Sequence, residues 1–267
     1  MDDCRDDITF VPAKPMHAMF NPRLLKYARL LLPPMTWELP DRGCVYLTFD
    51  DGPTPGVTPR VLDILAAAEV KATFFCLGKN VEQHPGLYRA IVEAGHKVGN
   101  HSYSHVRGWG MPTEQYVEDV DLANQLVDSD IFRPPYGRIR RRQAEVLSSR
   151  YRLVMGGIIS RDYNPKVSPQ QCLRNVTGSV SGGSVVVFHD SAKAFRNMAY
   201  ALPRAIEHIR SMGLGFDTIG AEAPRLSGPQ REEMPRPGMT WLPEESIPGL
   251  GDDKRGLVAL YGKTWKK

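Results

Sequence analysis

The sequence predicts an α/β barrel, a parallel sheet wrapped by helices. Short, uniformly apolar runs such as Val45-Tyr46-Leu47 and Val185-Val186-Val187 alternate with amphipathic, helix-length segments between residues 44 and 220. Strands of that composition are buried on both faces, which calls for a parallel sheet covered by helices, in roughly seven strand-helix units. A chain of 267 residues with 42% hydrophobic content accommodates one such barrel with a large core.

The elements follow in order. A strand over 44–50 ends in Asp50-Asp51, and Gly52-Pro53 turn the chain away. The next helix takes Thr58 as its cap and Pro59 as its first residue, with Val61, Ile64, Leu65 and Ala68 facing inward. After a strand over 73–77, Asn80 with Gln83 three residues later reads as a capping box that opens a helix running to Gly95. A short strand over 97–100 ends at His101, Thr113 caps a helix through Leu126, residues 131–132 form a strand, and residues 140–149 form a helix. Leu153-Val154-Met155 is a strand, Ser168-Pro169 start a helix, and 184–188 is a strand rich in valine. A helix over 197–212 and a strand near Phe216 complete the series.

The flanks differ. Residues 1–43 read as an N-terminal extension with a helix over 22–32, where Leu24, Leu25, Ala28, Leu31 and Leu32 share one face and Arg23, Lys26 and Arg29 the other. That helix either covers an open side of the core or lies on a membrane surface. Residues 221–267, broken by Pro224, Pro229, Pro235, Pro237, Pro243 and Pro248, read as an irregular tail packing on the barrel. The acidic start, with Asp2, Asp3, Asp6 and Asp7, lacks the pattern of a signal peptide. No run approaches the ~20 apolar residues of a membrane span. The expectation is a cytoplasmic chain, with peripheral membrane association open. A net charge of +4 is too slight to indicate nucleic acid. Cys4, Cys44, Cys76 and Cys172 form no C-x-x-C pair, which leaves no zinc-knuckle or redox motif, and Cys44 and Cys76 are expected in the core.

In a parallel barrel, reactive side chains collect where strands end. Here those positions hold Asp50, Asp51, His101, Arg133, Asp162, His189 and Asp190. Two adjacent carboxylates at the mouth of a buried strand are costly unless they perform chemistry. His101 and His105, on one helical turn, point the same way and can bind one metal. With Asp51 they make a set of two histidines and one carboxylate, the ligand set of a hydrolytic or oxygenase metal site.

Thr48-Phe49-Asp50-Asp51-Gly52-Pro53, His101-Ser102-Tyr103-Ser104-His105, Arg133-Pro134-Pro135-Tyr136-Gly137 and Phe188-His189-Asp190 occur in that order. Together they resemble the polysaccharide deacetylase family, the NodB-homology carbohydrate esterases of family 4, over about residues 44 to 220. The resemblance implies a distorted (β/α)7 barrel and a metal-dependent hydrolase that removes N-acetyl groups from amino sugars. It implies Asp51, His101 and His105 as ligands of one divalent ion, zinc first, with cobalt, nickel or manganese as alternatives. Asp50 would be the general base held by Arg133, His189 the general acid tuned by Asp162, and the Tyr136 backbone N–H an oxyanion donor. Gly137 lets that loop approach a substrate closely.

The chain departs from the family pattern at Ile159-Ser160-Arg161-Asp162-Tyr163, where tyrosine replaces a tryptophan, and at Val187, where leucine is usual. Both changes fall on the groove wall. Tyr136, Tyr163, Val187 and Trp109 are the expected substrate contacts, Trp109 either as a sugar-stacking platform or as a buried lid residue. Arg138, Arg140, Arg141 and Arg142 form either a solvated helix face or a contact to an anionic group, in which case a lipid-linked sugar would be a natural substrate. The expected partner is an N-acetylated glycan. A small amide, imide or formamide is the alternative on the same fold, and a glycan-binding barrel without turnover is a third reading.

Overall fold

The computed structural model describes residues 35–220. The helix expected over 22–32 and the tail over 221–267 lie outside the described residues. In chain order the elements are β1 (Met35–Thr36), β2 (Cys44–Asp50), α1 (Thr58–Ala67), β3 (Thr73–Cys76), α2 (Gly78–Gln83), α3 (Pro85–Glu93), β4 (Lys97–Asn100) and α4 (Thr113–Val127). They continue as β5 (Ile131–Phe132), α5 (Arg141–Ser148), β6 (Arg152–Val154), β7 (Ile158–Ile159), α6 (Pro169–Thr177), β8 (Val185–His189), α7 (Phe195–Ser211) and β9 (Gly215–Phe216).

The strands pair in the order β1-β6-β5-β4-β3-β2-β8-β7, with β9 added beside the start of β2, and every ladder is parallel. Strands β2 to β8 make the expected distorted (β/α)7 barrel. The ends of the whole sheet, β1 and β7, are not hydrogen-bonded to each other. The segment after β1 crosses toward β8 instead: Leu39 N donates to Gly183 O at 2.9 Å, and Glu38 bridges Ser184 in antiparallel fashion.

Strand periodicity sorts each side chain to one face. In β2, Val45, Leu47 and Phe49 enter the large core beneath the helices, while Tyr46 belongs to an inner cluster with Phe75, Ile131, Val154, Val185 and Ile219. Thr48 and Asp50 continue the inward row above Tyr46. In β8 the same alternation sends Val186 and Phe188 outward and Val185, Val187 and His189 inward. The last helix, α7, closes the outer core with Met198, Ala201, Leu202, Ala205, Ile206 and Ile209, all buried at helical spacing.

Several local expectations are corrected. Neither β1 (Met35–Thr36) nor β7 (Ile158–Ile159) was foreseen. Thr58 is not a cap: Val57 occupies that position, and the Thr58 hydroxyl instead accepts from Thr54 N and donates to Asp190 Oδ2 at 2.6 Å. The helix expected from Asn80 to Gly95 is two helices, α2 and α3. Proline at 85 lacks an N–H and disfavours a helical conformation at His84, which sits at φ −133°, ψ 57°. Asn80 lies inside α2 and donates to the Asp51 carbonyl at 2.8 Å. Thr113 is the first residue of α4 rather than its cap, which is Pro112. Ser168 does cap α6, accepting from Gln171 N at 3.1 Å. Cys76 and Cys172 are buried thiols, and Cys44 is half-buried. Among the described residues, no helix is long and apolar enough to cross a membrane.

Candidate active site

Parallel register sets the first pair. Asp50 on β2 stands beside His189 on β8, and both belong to the inward rows. Arg133, one residue beyond β5, reaches across the barrel, its Nη1 lying 2.6 Å from Asp50 Oδ1 and 2.7 Å from Thr48 Oγ1. Its Nη2 donates to Met155 O at 3.0 Å and its Nε to Val154 O at 3.3 Å. The guanidinium stacks on Phe75, 4.0 Å from the ring centroid. A Cβ at Gly99 would lie 2.6 Å from that ring, so glycine on β4 leaves the room that Phe75 occupies. Burial lowers the Arg133 pKa from the usual guanidinium range, and the Asp50 carboxylate opposes that fall.

Asp51, His101 and His105 converge, with one ligand atom of each lying within 4.8 Å of the others. The two histidines meet for a reason other than the one their spacing suggested. Residues 101–105 form a loop, not a helical turn, with Ser102 at φ 67° and His105 at φ 59°. Asn100 Oδ1 accepts from Ser102 N at 2.8 Å, and Ser102 Oγ accepts from His105 N at 3.0 Å. Asp119 on α4 takes the N–H groups of Tyr103 and Ser104 at 3.0 and 3.2 Å.

These donors fit a divalent cation. Asp51 Oδ1 is buried and 3.1 Å from His105 Nε2, yet accepts no well-formed hydrogen bond. His101 Nδ1 lies 2.8 Å from Arg133 O, and a carbonyl can only accept. The proton is therefore on Nδ1, which leaves the Nε2 lone pair for a ligand bond. Burial pushes the His101 pKa down to about 4, so the ring is neutral at pH 7. At Asp51, burial works against the charge, but His105 and the other nearby imidazoles hold its pKa well below the usual carboxylate range. Lys193 Nζ also lies 3.3 Å from Asp51 Oδ2.

His189 is anchored by Asp162, which is fully buried. Its Nδ1 lies 2.8 Å from Asp162 Oδ1, and its backbone N–H donates to Asp162 Oδ2 at 2.8 Å. Burial alone would lower the His189 pKa, but Asp162, helped by Asp50 and Asp51, raises it to about 9. The ring is therefore an imidazolium at neutral pH, with Nε2 left for the cavity. Asp162 follows β7, the strand that the sequence reading did not include.

A cavity of about 290 Å³ opens over this cluster. Asp50, Asp51, His101, His105, Arg133, Tyr136, Tyr163, Val187 and His189 all line it. Tyr136, at φ 61°, packs its ring 4.6 Å from that of His105, and Tyr163 meets His189 edge-on at 4.9 Å. Trp109 does not line the cavity. Its ring lies under the Arg138 guanidinium, 4.9 Å away, so the wall is formed by the arginine above it. Of the basic run, only Arg138 reaches the cavity, whereas Arg141 pairs with Glu145 at 2.8 Å on the exposed side of α5. Trp37, Arg107, Met155, Gly156 and Lys193 also line it; sequence reasoning missed Trp37, Arg107 and Lys193 because none sits at the end of a recognised strand, and Met155 and Gly156, at the end of the strand over 153–155, because they carry no titratable side chain.

Asp190 is inside the fold rather than in the cavity. Its Oδ2 accepts from Thr58, its Oδ1 is buried without a partner, and burial raises its pKa to about 8. A Cβ at Gly52 would lie 1.9 Å from Asp190 Oδ2, so only glycine fits beside Asp51 at the strand end.

The family described as polysaccharide deacetylase matches residues 39–151. A peptidoglycan-N-acetylglucosamine deacetylase of Bacillus cereus is 32% identical over 66% of this chain and 66% of its own length. A chitooligosaccharide deacetylase of Rhizobium leguminosarum is 34% identical over 66% of this chain and 81% of its own length. The chain belongs to the polysaccharide deacetylase family. The crystal structure of a peptidoglycan N-acetylglucosamine deacetylase in complex with a naphthalenyl N-oxidanyl-benzamide superposes with a TM-score of 0.67 at 30% identity, covering 73% of this chain and 94% of that one. The two structures thus share the barrel. The chain spans about two thirds of the Bacillus cereus relative's length.

Proposed function

We propose that this member of the polysaccharide deacetylase family is a metal-dependent hydrolase that removes the N-acetyl group from an amino sugar within a glycan. The observation that carries the reading is the pairing of Asp50 and His189, a carboxylate and an imidazolium side by side on adjacent parallel strands, in the cavity that Asp51, His101 and His105 also line. Hydrolysis of an unactivated amide needs those two functions, a base for water and an acid for the leaving amine. The relatives named for deacetylation of N-acetylglucosamine and chitooligosaccharides support the substrate class.

In this reading a divalent ion held by Asp51, His101 and His105 supplies Lewis-acid polarisation of the acetamide carbonyl and of the attacking water. Two imidazoles and one carboxylate are donors that suit zinc. Asp50 accepts the proton of the water, and Arg133 fixes its orientation through the 2.6 Å contact. As negative charge develops on the carbonyl oxygen, the backbone N–H of Tyr136 donates to it. His189 then passes the Nε2 proton to the departing nitrogen, and Asp162 stabilises the imidazolium until that moment. Tyr163 and Val187 shape the wall against which the sugar lies.

The test is acetate release from N-acetylglucosamine oligomers by protein loaded with zinc, together with metal analysis. Asp50→Asn is expected to retain the metal and lose turnover by about 10²-fold or more. Turnover that survives in Asp51→Ala with no bound metal sinks the mechanism.

A further inference from the structure

The cavity carries more positive charge than this chemistry consumes. Arg133 is committed to Asp50, and a divalent ion more than neutralises Asp51. Arg107, Arg138 and Lys193 line the cavity as well, and Asp50 and Asp51 are its only carboxylates among the described residues. Some basic groups elsewhere on the surface have acidic partners, Arg141 with Glu145, Arg150 with Asp121 and Lys97 with Asp130, at 2.8, 2.8 and 3.2 Å. The guanidiniums of Arg107 and Arg138 make no ion pair among the described residues. Each lies over an aromatic ring, Arg107 4.8 Å from the Tyr136 centroid and Arg138 4.9 Å from that of Trp109.

Stacking holds a guanidinium in place while its N–H edge stays unspent, ready for two parallel hydrogen bonds to an oxyanion. Lys193 completes the set. It is paired with Asp51 at 3.3 Å with a side chain 56% exposed, and a cation seated on Asp51 would repel the ammonium and free it for another partner. Like charges gathered around a concave site repel one another, a cost that an anionic ligand relieves.

Resting on the deacetylase reading above, we propose that the substrate is an anionic N-acetylated glycan. A carboxylate or phosphate on the acetylated sugar or its neighbour is bound by Arg107, Arg138 and Lys193 while the acetamide lies between Asp50 and His189. The cavity of about 290 Å³ is near the lower end of the ~300–1,000 Å³ usual for small-molecule sites, so one sugar fills it and the charged group sits at its rim.

Three probes test this on the zinc-loaded protein: a neutral N-acetylglucosamine tetramer, a hyaluronan tetramer whose alternate sugars carry carboxylates, and N-acetylglucosamine 1-phosphate. Calorimetric affinity and acetate release are read for each at low and high salt. At least one anionic probe is expected to bind about tenfold more tightly than the neutral tetramer at low salt, with the margin shrinking as salt rises. Which anion prevails separates the carboxylate source from the phosphate. In Arg107→Gln/Arg138→Gln the preference falls toward parity, and either single variant lowers it part-way. Arg204→Gln, stacked on Tyr200 in α7, is the control that leaves the preference intact. Equal affinity for all three probes, or a preference undiminished in the double variant, overturns the proposal. An anion preference without acetate release from any probe overturns the deacetylase reading and leaves the charge assignment standing.

Discussion

Arg133→Met is the sharpest test of how the barrel interior is held. Arg133 is 4% exposed and its side chain binds Asp50, Thr48, Val154 O and Met155 O. Methionine fills similar volume, so the loss is chiefly electrostatic. Removing one partner of a buried ion pair costs about 3–5 kcal/mol because the other charge stays buried. Two carbonyls also lose a donor, at about 1 kcal/mol or more each where water does not replace it. The total, on the order of 5 kcal/mol, is comparable with the whole stability of many domains, ~5–15 kcal/mol. Urea unfolding of metal-free protein, followed by circular dichroism, measures it. Adding Asp50→Asn to the variant removes the stranded charge and is expected to restore about 2 kcal/mol, although Asp50→Asn alone destabilises the wild type. The coupling energy is then well outside the ~0.5 kcal/mol within which independent sites add. Additive effects in this cycle would refute the ion pair as the organising contact.

Further outcomes follow from the same cluster. His189 has its pKa raised from 6.5 to about 9, so it contributes stability that is fully present below pH 6.5 and lost as pH rises through about 9. Asp162→Asn is expected to flatten that slope and to move the alkaline limb of kcat/KM to lower pH, both measurable by pH titration. Asp190, raised from 3.8 to about 8, gives stability fully present below pH 3.8 and lost as pH rises through about 8. Asp190→Asn keeps a partner for Thr58 while removing that contribution, which urea midpoints at pH 5 and 9 will show. Gly52→Ala drives a methyl group into the buried Asp190 carboxylate, and a loss of about 3 kcal/mol with weakened metal binding is expected in unfolding and metal titrations.

Some of this was legible in sequence because it obeys short-range rules. The six barrel strands other than β7 were legible, most of them as apolar runs, and Asp50, His101, Arg133 and His189 stand at or just past the ends of theirs. The 101–105 pairing was legible as spacing but not as geometry, since the loop depends on Asn100, Ser102 and the distant Asp119. Capping was misread at Thr58 and Asn80 because both side chains are claimed by tertiary partners, Asp190 and the Asp51 carbonyl. Strand β7 was missed, so Asp162 was assigned to the strand over 153–155 rather than to β7, which it follows. Arg107 and Lys193 reach the cavity from loops, where position follows from the whole fold rather than from local pattern.

Arg133 serves two centres by two different parts of itself. Its side chain holds Asp50, and its carbonyl fixes the proton on His101 Nδ1. A side-chain replacement severs the first link and spares the second, so a variant can release the proposed base while keeping the proposed metal ligands in register. A shift of the backbone at the end of β5 disturbs both at once. Engineering that tunes the two independently must therefore leave this one peptide unit stationary.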